Sequence, residues 1–270
     1  MLLPAETALP APELPLAAGV FLLLLAPAIG SFLGVLVDRL PRGEDVLWRR
    51  SQCRSCAAAL APWELLPILS FCASGGRCRH CGAAIPAWAL YLEIAALGVA
   101  VLALAAGGGL GAVLFSCLFL WGLLALALCD LLWLRLPDPL TAGLFLVVLI
   151  WAGSAGLQAL GFALLGAGLG LGSFYALRWG YQHLRGREGL GLGDVKLMAA
   201  LGGFAGPLDL PLLVLIAALT ALGGGGIAHL RRPEQASATG LAQQPLPFGA
   251  ALCAAAALLW LLRGLDLLWL

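Results

Sequence analysis

Charge is what this sequence lacks. Only 11% of its 270 residues are Asp, Glu, Lys or Arg, against about 25% in an average soluble domain. That scarcity runs through most of the chain, beside 62% hydrophobic residues, and excludes a soluble globular protein. The net charge of +1 gives no ground for a nucleic-acid partner, and none is expected. The apolar runs lack the period-2 alternation of a membrane barrel. Helices are therefore the expected way to bond the backbone within a lipid bilayer. No basic segment precedes the first apolar run near Leu14; Glu6 and Glu13 stand there instead. That run reads as a retained helix and not as a cleaved signal peptide.

What is present is a series of apolar stretches near the length of about 20 residues that crosses a bilayer. They place helices at 14–37, with Pro27 as a kink, and at 85–106, 110–134, 139–156, 158–180, 194–208, 211–230 and 246–265. The sixth is short for a span and reads as tilted, broken or paired in a hairpin with the seventh. A Pro-rich acidic tail, 1–13, precedes the first. The one long polar segment, 38–84, carries Arg39, Arg42, Arg49, Arg50, Arg54, Arg77 and Arg79, which assigns it to the cytoplasm. Basic residues recur on alternate connections: Arg135, then His183, Arg185 and Arg187 beside Glu188, then Arg231 and Arg232. The expected fold is an all-α polytopic membrane protein of about eight transmembrane helices with a small cytoplasmic four-cysteine loop. It divides into the tail and first helix, 1–37, the loop, 38–84, and the bundle, 85–270. Gly166, Gly168, Gly170 and Gly172 follow no strand, so they read as a close helix–helix contact and not as a nucleotide loop. Gly223 to Gly226 read as a weak joint.

Two carboxylates stand where charge is costly. Asp130 closes one apolar segment, and Asp194 opens another within Gly191-Leu192-Gly193-Asp194-Val195-Lys196. Acids at such positions mark functional sites, and the topology puts both at cytoplasmic helix ends. Two carboxylates brought together share one proton: the ionised partner takes a proton from water, and the protonated one bonds a substrate carbonyl. That is the chemistry of aspartyl peptide hydrolysis. Asp194 also suits a helix cap. Asp138, just before Pro139, fits a cap better, so Asp138 is assigned to structure and Asp130 to catalysis. Lys196 either pairs with an acid or reaches to the interface. Glu93, about two turns into the second helix, either supports the aspartate pair or faces a polar gap. The same acids admit an ion or proton-coupled transporter, which an inverted repeat would favour; none is evident.

Cys53-Arg54-Ser55-Cys56 and Cys78-Arg79-His80-Cys81 are two CxxC pairs. Each offers two thiolates, and together they complete a closed tetrahedral metal site with spacing close to the four-cysteine zinc pattern. A reducing compartment favours metal over disulfide. With all four positions filled by protein, the site is structural and folds a loop too small for much core. His80 has no necessary ligand role. Cys72, Cys117, Cys129 and Cys253 lack paired spacing and read as small apolar residues.

Taken in order, these motifs resemble the bacterial type IV prepilin leader peptidase/N-methyltransferase family. The resemblance rests on Gly30-Ser31-Phe32-Leu33 with Arg39-Leu40-Pro41, on Pro62-Trp63-Glu64 and Ile68-Leu69-Ser70 between the cysteine pairs, and on Asp130 with Leu136-Pro137-Asp138. It continues through Gly191 to Leu197 and ends at Pro247-Phe248-Gly249. The chain departs from the pattern at Gly34, at Leu65 and at Ala89-Leu90. Gly191, Gly193, Lys196, Asp138 and Glu93 stand as supporting candidates, and zinc is expected at Cys53, Cys56, Cys78 and Cys81 from their spacing. The resemblance implies an inner-membrane aspartyl peptidase with Asp130 and Asp194 as its dyad. It further implies cleavage of the basic leader of type IV prepilins or type II secretion pseudopilins on the cytoplasmic side, followed by methylation of the new terminus from S-adenosylmethionine. No soluble methyltransferase fold is short enough to fit the loop.

Overall fold

The computed structural model describes residues 14–46, 48–186, 189–231 and 247–264. The expected acidic tail, Arg187, Glu188 and the connection from Arg232 to residue 245 lie outside the described residues.

The described chain is helical throughout its apolar stretches. The helices are α1 (Leu16–Arg39), the short α2 (Leu69–Ala73), α3 (Ala87–Ala106), α4 (Leu110–Trp133), α5 (Asp138–Ser154), α6 (Leu157–Arg185), α7 (Leu192–Arg231) and α8 (Phe248–Gly264). Five segments, in α1, α3, α4, α6 and α7, are long and apolar enough to cross a membrane, while α5 and α8 are shorter apolar helices. Large side chains such as Leu164, Leu165 and Leu169 on α6 are exposed. An exposed aliphatic face on a long apolar helix is a lipid-facing face. The expected sixth and seventh helices are the two arms of α7, joined directly at Gly206. Gly206 sits at φ 73°, ψ 173° and is followed by Pro207. That conformation suits only glycine, and the proline supplies no N–H to carry the ladder across.

The chain forms two compact units. One comprises residues up to Val35 together with Val46–Trp121; the other comprises Leu36–Asp45 together with the chain from Gly122 onward. In the first, Gly30 lets α1 run against α3: a Cβ there would stand 2.7 Å from the Glu93 Cα. The Trp121 indole N–H donates to the Ala96 carbonyl at 3.0 Å, and the polar loop lies between α1 and α3 in the chain.

In the second unit, α6 and α7 meet backbone to backbone. A Cβ on Gly166 would come within 2.2 Å of the Gly202 carbonyl oxygen, one on Gly202 within 2.4 Å of the Gly166 oxygen, and one on Gly170 within 2.5 Å of the Met198 oxygen. Gly168 and Gly172 face open space. The expected close contact is real, and helical periodicity gives it to alternate glycines of the run. The core of this unit is built around the first arm of α7 (Val195, Leu197, Met198, Ala200 and Leu201) and the small-residue face of α8 (Ala251, Cys253, Ala255 and Ala256).

Candidate active site and candidate metal centre

Asp130 lies one turn before the end of α4 and is only 6% exposed. A buried carboxylate needs donors, and α8 provides them. The Ala250 N–H donates to Asp130 Oδ2 at 2.8 Å, and the Gly249 N–H joins it. These are among the first N–H groups of α8, which have no partner within their own helix. The acid thus sits at the positive end of a helix dipole, where an anion is favoured. Gly249 must be glycine for this approach, because a Cβ would stand 3.1 Å from both Asp130 Cγ and Oδ2. Pro247-Phe248-Gly249 thereby acquires a physical role: it delivers a helix N-terminus to Asp130. Phe248 stacks on Phe174 of α6, with ring centroids 6.2 Å apart.

Asp194 is half-buried in the first turn of α7. Its carboxylate accepts a bond from the Gly191 backbone, immediately before the helix. This is the reciprocal half of a capping box, in which the third helical residue reaches back to the capping N–H. Capping and exposure to the cleft coexist in one side chain. Gly193 gives Leu136 room, since a Cβ there would lie 2.9 Å from the Leu136 Cβ.

The two aspartates line one cleft of about 430 Å³ with Leu40, Pro41, Leu134 to Asp138, and Gly191 to Gly193, and each lies within reach of the other's charge. The sequence elements expected to meet do so here. Arg39, 8% exposed, donates to the Asp45 carbonyl at 3.0 Å, and Arg135 donates to the Pro41 carbonyl at 3.2 Å. These bonds hold Leu40 and Pro41 in the cleft wall. Leu134 closes α4 at φ 51°, a left-handed conformation rarely taken by a non-glycine residue and often found beside functional sites. Residue type gives no signal for it. Buried Cys253 lies within electrostatic reach of both carboxylates, and Cys129 is also buried; with Cys117 they are the small apolar residues expected. Cys72 is instead exposed.

Three expectations need correction or resolution. Asp138 does not cap α5: Pro137 stands at the cap and no side-chain capping bond forms. The Asp138 carboxylate instead binds Lys196, both oxygens lying 2.7 Å from Nζ. Of the two readings of Lys196, the acid pair is the one observed. Glu93 accepts the Ile68 N–H at 2.7 Å and so anchors the polar loop within its own unit, at a residue held at φ 63°.

The four cysteines form a cluster whose sulfurs all lie within 4.8 Å of one another. Cys53 and Cys81 sulfurs are 3.8 Å apart, and those of Cys56 and Cys78 are 4.0 Å apart. Tetrahedral Zn–S bonds of about 2.3 Å require sulfurs roughly 3.8 Å apart, so the donor set fits that ion. The two knuckles are copies. Gln52 to Leu60 and Arg77 to Ile85 share their spacing, and each closes on a left-handed residue after the second cysteine, Ala57 at φ 56° and Gly82 at φ 71°. The bridges Gln52–Ala59 and Arg77–Ala84 match as well. Backbone N–H groups of Cys56 and Ser55 pull the Cys53 thiol down to about 6. The Ala83 N–H favours the Cys81 thiolate, but lost hydration and the sulfurs of Cys56, Cys78 and Cys53 outweigh it and push that thiol up to about 11. Four thiolates at this spacing need a cation. Glu64 links the knuckles' surroundings: it accepts the Ala61 N–H at 2.7 Å and pairs with Arg79 at 3.1 Å. His80 accepts from Arg79 and does not join the cluster.

Comparison with known proteins shows the family. Residues 24–106 match the bacterial peptidase A24 N-terminal domain, and residues 117–225 match the type IV leader peptidase family. The chain is 36% identical over 265 residues to the prepilin leader peptidase/N-methyltransferase of Burkholderia pseudomallei, covering 88% of this chain and 83% of that protein. It is 35% identical over 276 residues to the protein of that name from Pseudomonas aeruginosa, covering 91% of each, and 35% identical over 267 residues to that of Aeromonas hydrophila, covering 88% and 89%. No solved structure matches the chain.

Proposed function

Since this chain belongs to the type IV leader peptidase family, we infer that it is a membrane aspartyl endopeptidase. It removes the basic leader from type IV prepilins or type II secretion pseudopilins and N-methylates the residue exposed. The observation that carries the reading is the single cleft lined by Asp130 and Asp194, each carboxylate bonded by backbone at the start of a helix. The alternative of an ion-coupled transporter is set aside, since the relatives are peptidases by name.

The dyad is assigned to Asp130 and Asp194. They share one proton; the ionised carboxylate takes a proton from water as its oxygen attacks the scissile carbonyl, and the protonated carboxyl gives its proton to the carbonyl oxygen. Collapse of the tetrahedral intermediate expels the amine, which takes up the proton drawn from water, while a hydroxyl of the new carboxyl returns a proton to the other aspartate and restores the shared proton of the pair. Gly191 and Gly193 give the space this arrangement needs, beside the Asp194 carboxylate and Leu136, and Asp138 with Lys196 forms the cleft rim. The enzyme is a multi-pass protein of the bacterial inner membrane. The arginine-rich loop orients the cleft to the cytoplasm. Residues 38–84 serve as a support folded around zinc on Cys53, Cys56, Cys78 and Cys81, between the first span in 1–37 and the catalytic bundle in 85–270. Glu93 secures that support. S-adenosylmethionine is the methyl donor. The apolar cavity lined by Leu14, Leu16, Val20, Leu23 and Leu104 has no charged lining residue among the described residues, and no step is assigned there.

The test is mass spectrometry of a co-expressed prepilin's N-terminus, which reads leader loss and added methyl mass together. Asp130→Asn and Asp194→Asn should each reduce cleavage by ~10²–10⁴-fold or more, the contribution of a positioned acid or base. Normal processing by either variant would refute the dyad.

A further inference from the structure

The far end of α8 holds a polar cluster that peptide hydrolysis does not use. Arg263, in the last turn of α8, sends its guanidinium to the break in α7. Nη1 donates to the Phe204 carbonyl at 2.9 Å, and Nη2 donates to the Ala205 carbonyl at 2.7 Å. The same group pairs with Asp209, with Nε donating to Oδ2 at 3.2 Å, and lies 5.0 Å from the Phe204 ring centroid. Asp209 is only 4% exposed, and its Oδ1 has no hydrogen-bond partner among the described residues. A carboxylate buried in an apolar bundle, paired across two helices, is costly to keep unless it does something.

What it touches is specific. Gly206 and Pro207 interrupt α7, so the Phe204 and Ala205 carbonyls are the orphaned acceptors at the end of its first arm. Arg263 caps that arm. The other end of the same arm carries Asp194, and the other end of α8 holds Asp130 through Ala250. The two helical segments therefore start at one cleft and finish at one cluster, so they run parallel. At about 1.5 Å per residue, Asp194 to Ala205 spans ~17 Å and Ala250 to Arg263 ~20 Å. The small excess matches an arginine side chain that leans back toward the start of its helix. Slippage of either helix along the other would change the offset between Asp194 and the Ala250 N–H that holds Asp130.

We propose that Arg263 and Asp209 form a remote positioning pair that fixes the axial register of the Asp194-bearing arm of α7 against α8, the helix whose first N–H groups hold Asp130. The pair touches neither substrate nor water in the cleft. It acts by joining the end of the Asp194 arm to the end of the helix whose start holds Asp130. This rests on the peptidase reading above. Lysine cannot replace the arginine fully, because one ammonium cannot span two carbonyls and a carboxylate as a planar five-donor fork does.

The experiment uses the full-length protein in detergent, with Arg263→Met and the milder Arg263→Lys, against wild type and Asp130→Asn. Steady-state cleavage of a purified prepilin gives kcat and KM, and hydrogen exchange reports the Ala250 amide. The expected result is a kcat per folded molecule lowered ~10–100-fold in Arg263→Met, the scale of a sub-ångström to ångström misplacement. KM should stay within about twofold, as when an interaction made only in the transition state is lost. Arg263→Lys should fall between, and Ala250 exchange should quicken in the same order. If Arg263→Met does not accumulate, Arg263→Lys decides. Wild-type kcat and unchanged Ala250 exchange in that variant, with Asp130→Asn inactive, would overturn the positioning pair and leave the peptidase intact. If wild type does not cleave, the peptidase reading fails, and Ala250 exchange alone decides the register claim.

Discussion

Adding one methyl group at residue 249 tests how the site is built. In Gly249→Ala the new Cβ would stand 2.9 Å from Leu136 Cδ1 and 3.1 Å from Asp130 Cγ and Oδ2. Leu136 can yield at the tip of its side chain. Asp130 cannot yield without stretching its 2.8 Å bond from the Ala250 N–H, so its carboxylate must shift by several tenths of an ångström. Fold stability should barely register the change. Alanine gains about 1 kcal/mol over glycine inside a helix, and overpacking costs about 1–3 kcal/mol, a net loss of ~0–2 kcal/mol. Activity should register it strongly, by ~10–100-fold, because misplacing a reacting group by about 1 Å costs ~100-fold. The control is Gly143→Ala on α5, where a Cβ meets nothing within 4 Å; it should process normally and melt no lower. Thermal unfolding in detergent and prepilin cleavage would be measured on the same preparations. A Gly249→Ala enzyme that is folded and cleaves at the wild-type rate would show that the α8 N-terminus does not set the position of Asp130.

Further expectations follow from the same contacts. Gly202→Ala must push apart a pair of backbones now separated by the width of a glycine, since its Cβ would lie 2.4 Å from the Gly166 oxygen; it should lose about 1–3 kcal/mol or more in a detergent melt, and an unchanged melt would contradict the close packing. Removing metal by chelation, or replacing Cys53 with Ser, should open residues 48–86 to limited proteolysis while the helices stay protected. Metal return in weak buffer should release protons as thiols give way to thiolates; absence of bound metal in reduced, purified protein would remove the zinc assignment. Lys196→Met should alter stability by less than about 1 kcal/mol, because its pair with Asp138 is exposed, and chemical denaturation would check it.

Much of this molecule is readable from residue order, and the limits have physical causes. Apolar run length marks the helices because lipid leaves a backbone no other partner. Paired CxxC spacing marks the four-cysteine cluster, because two such pairs can present four sulfurs to one point. The likeness of the knuckles, Gln52 to Leu60 against Arg77 to Ile85, is legible in five identical letters of nine, while the left-handed turn at Ala57, where the copy has Gly82, is not. The destination of Asp138 is not legible: Pro139 behind it signals a cap, while Lys196, far along the chain, claims the carboxylate. Nor can spacing show that Gly249 and Ala250 serve Asp130, since nothing local marks a helix start as an anion's partner. Leu134 at positive φ is invisible for the opposite reason, because the residue type argues against it. Glu93 stands at an ambiguous depth, and only the fold reveals that its partner is the Ile68 backbone.

The seam between α6 and α7 has a consequence for how this enzyme can change. Where Gly166 and Gly202 touch, there is no side chain to trim, swap or cushion, so ordinary conservative drift has nothing to work with. Any larger residue on one side demands that both strips of main chain separate, carrying Asp194 with them. Tolerated change is thereby channelled away from the seam, to positions such as Gly168 and Gly172 on α6, where an added side chain meets open space.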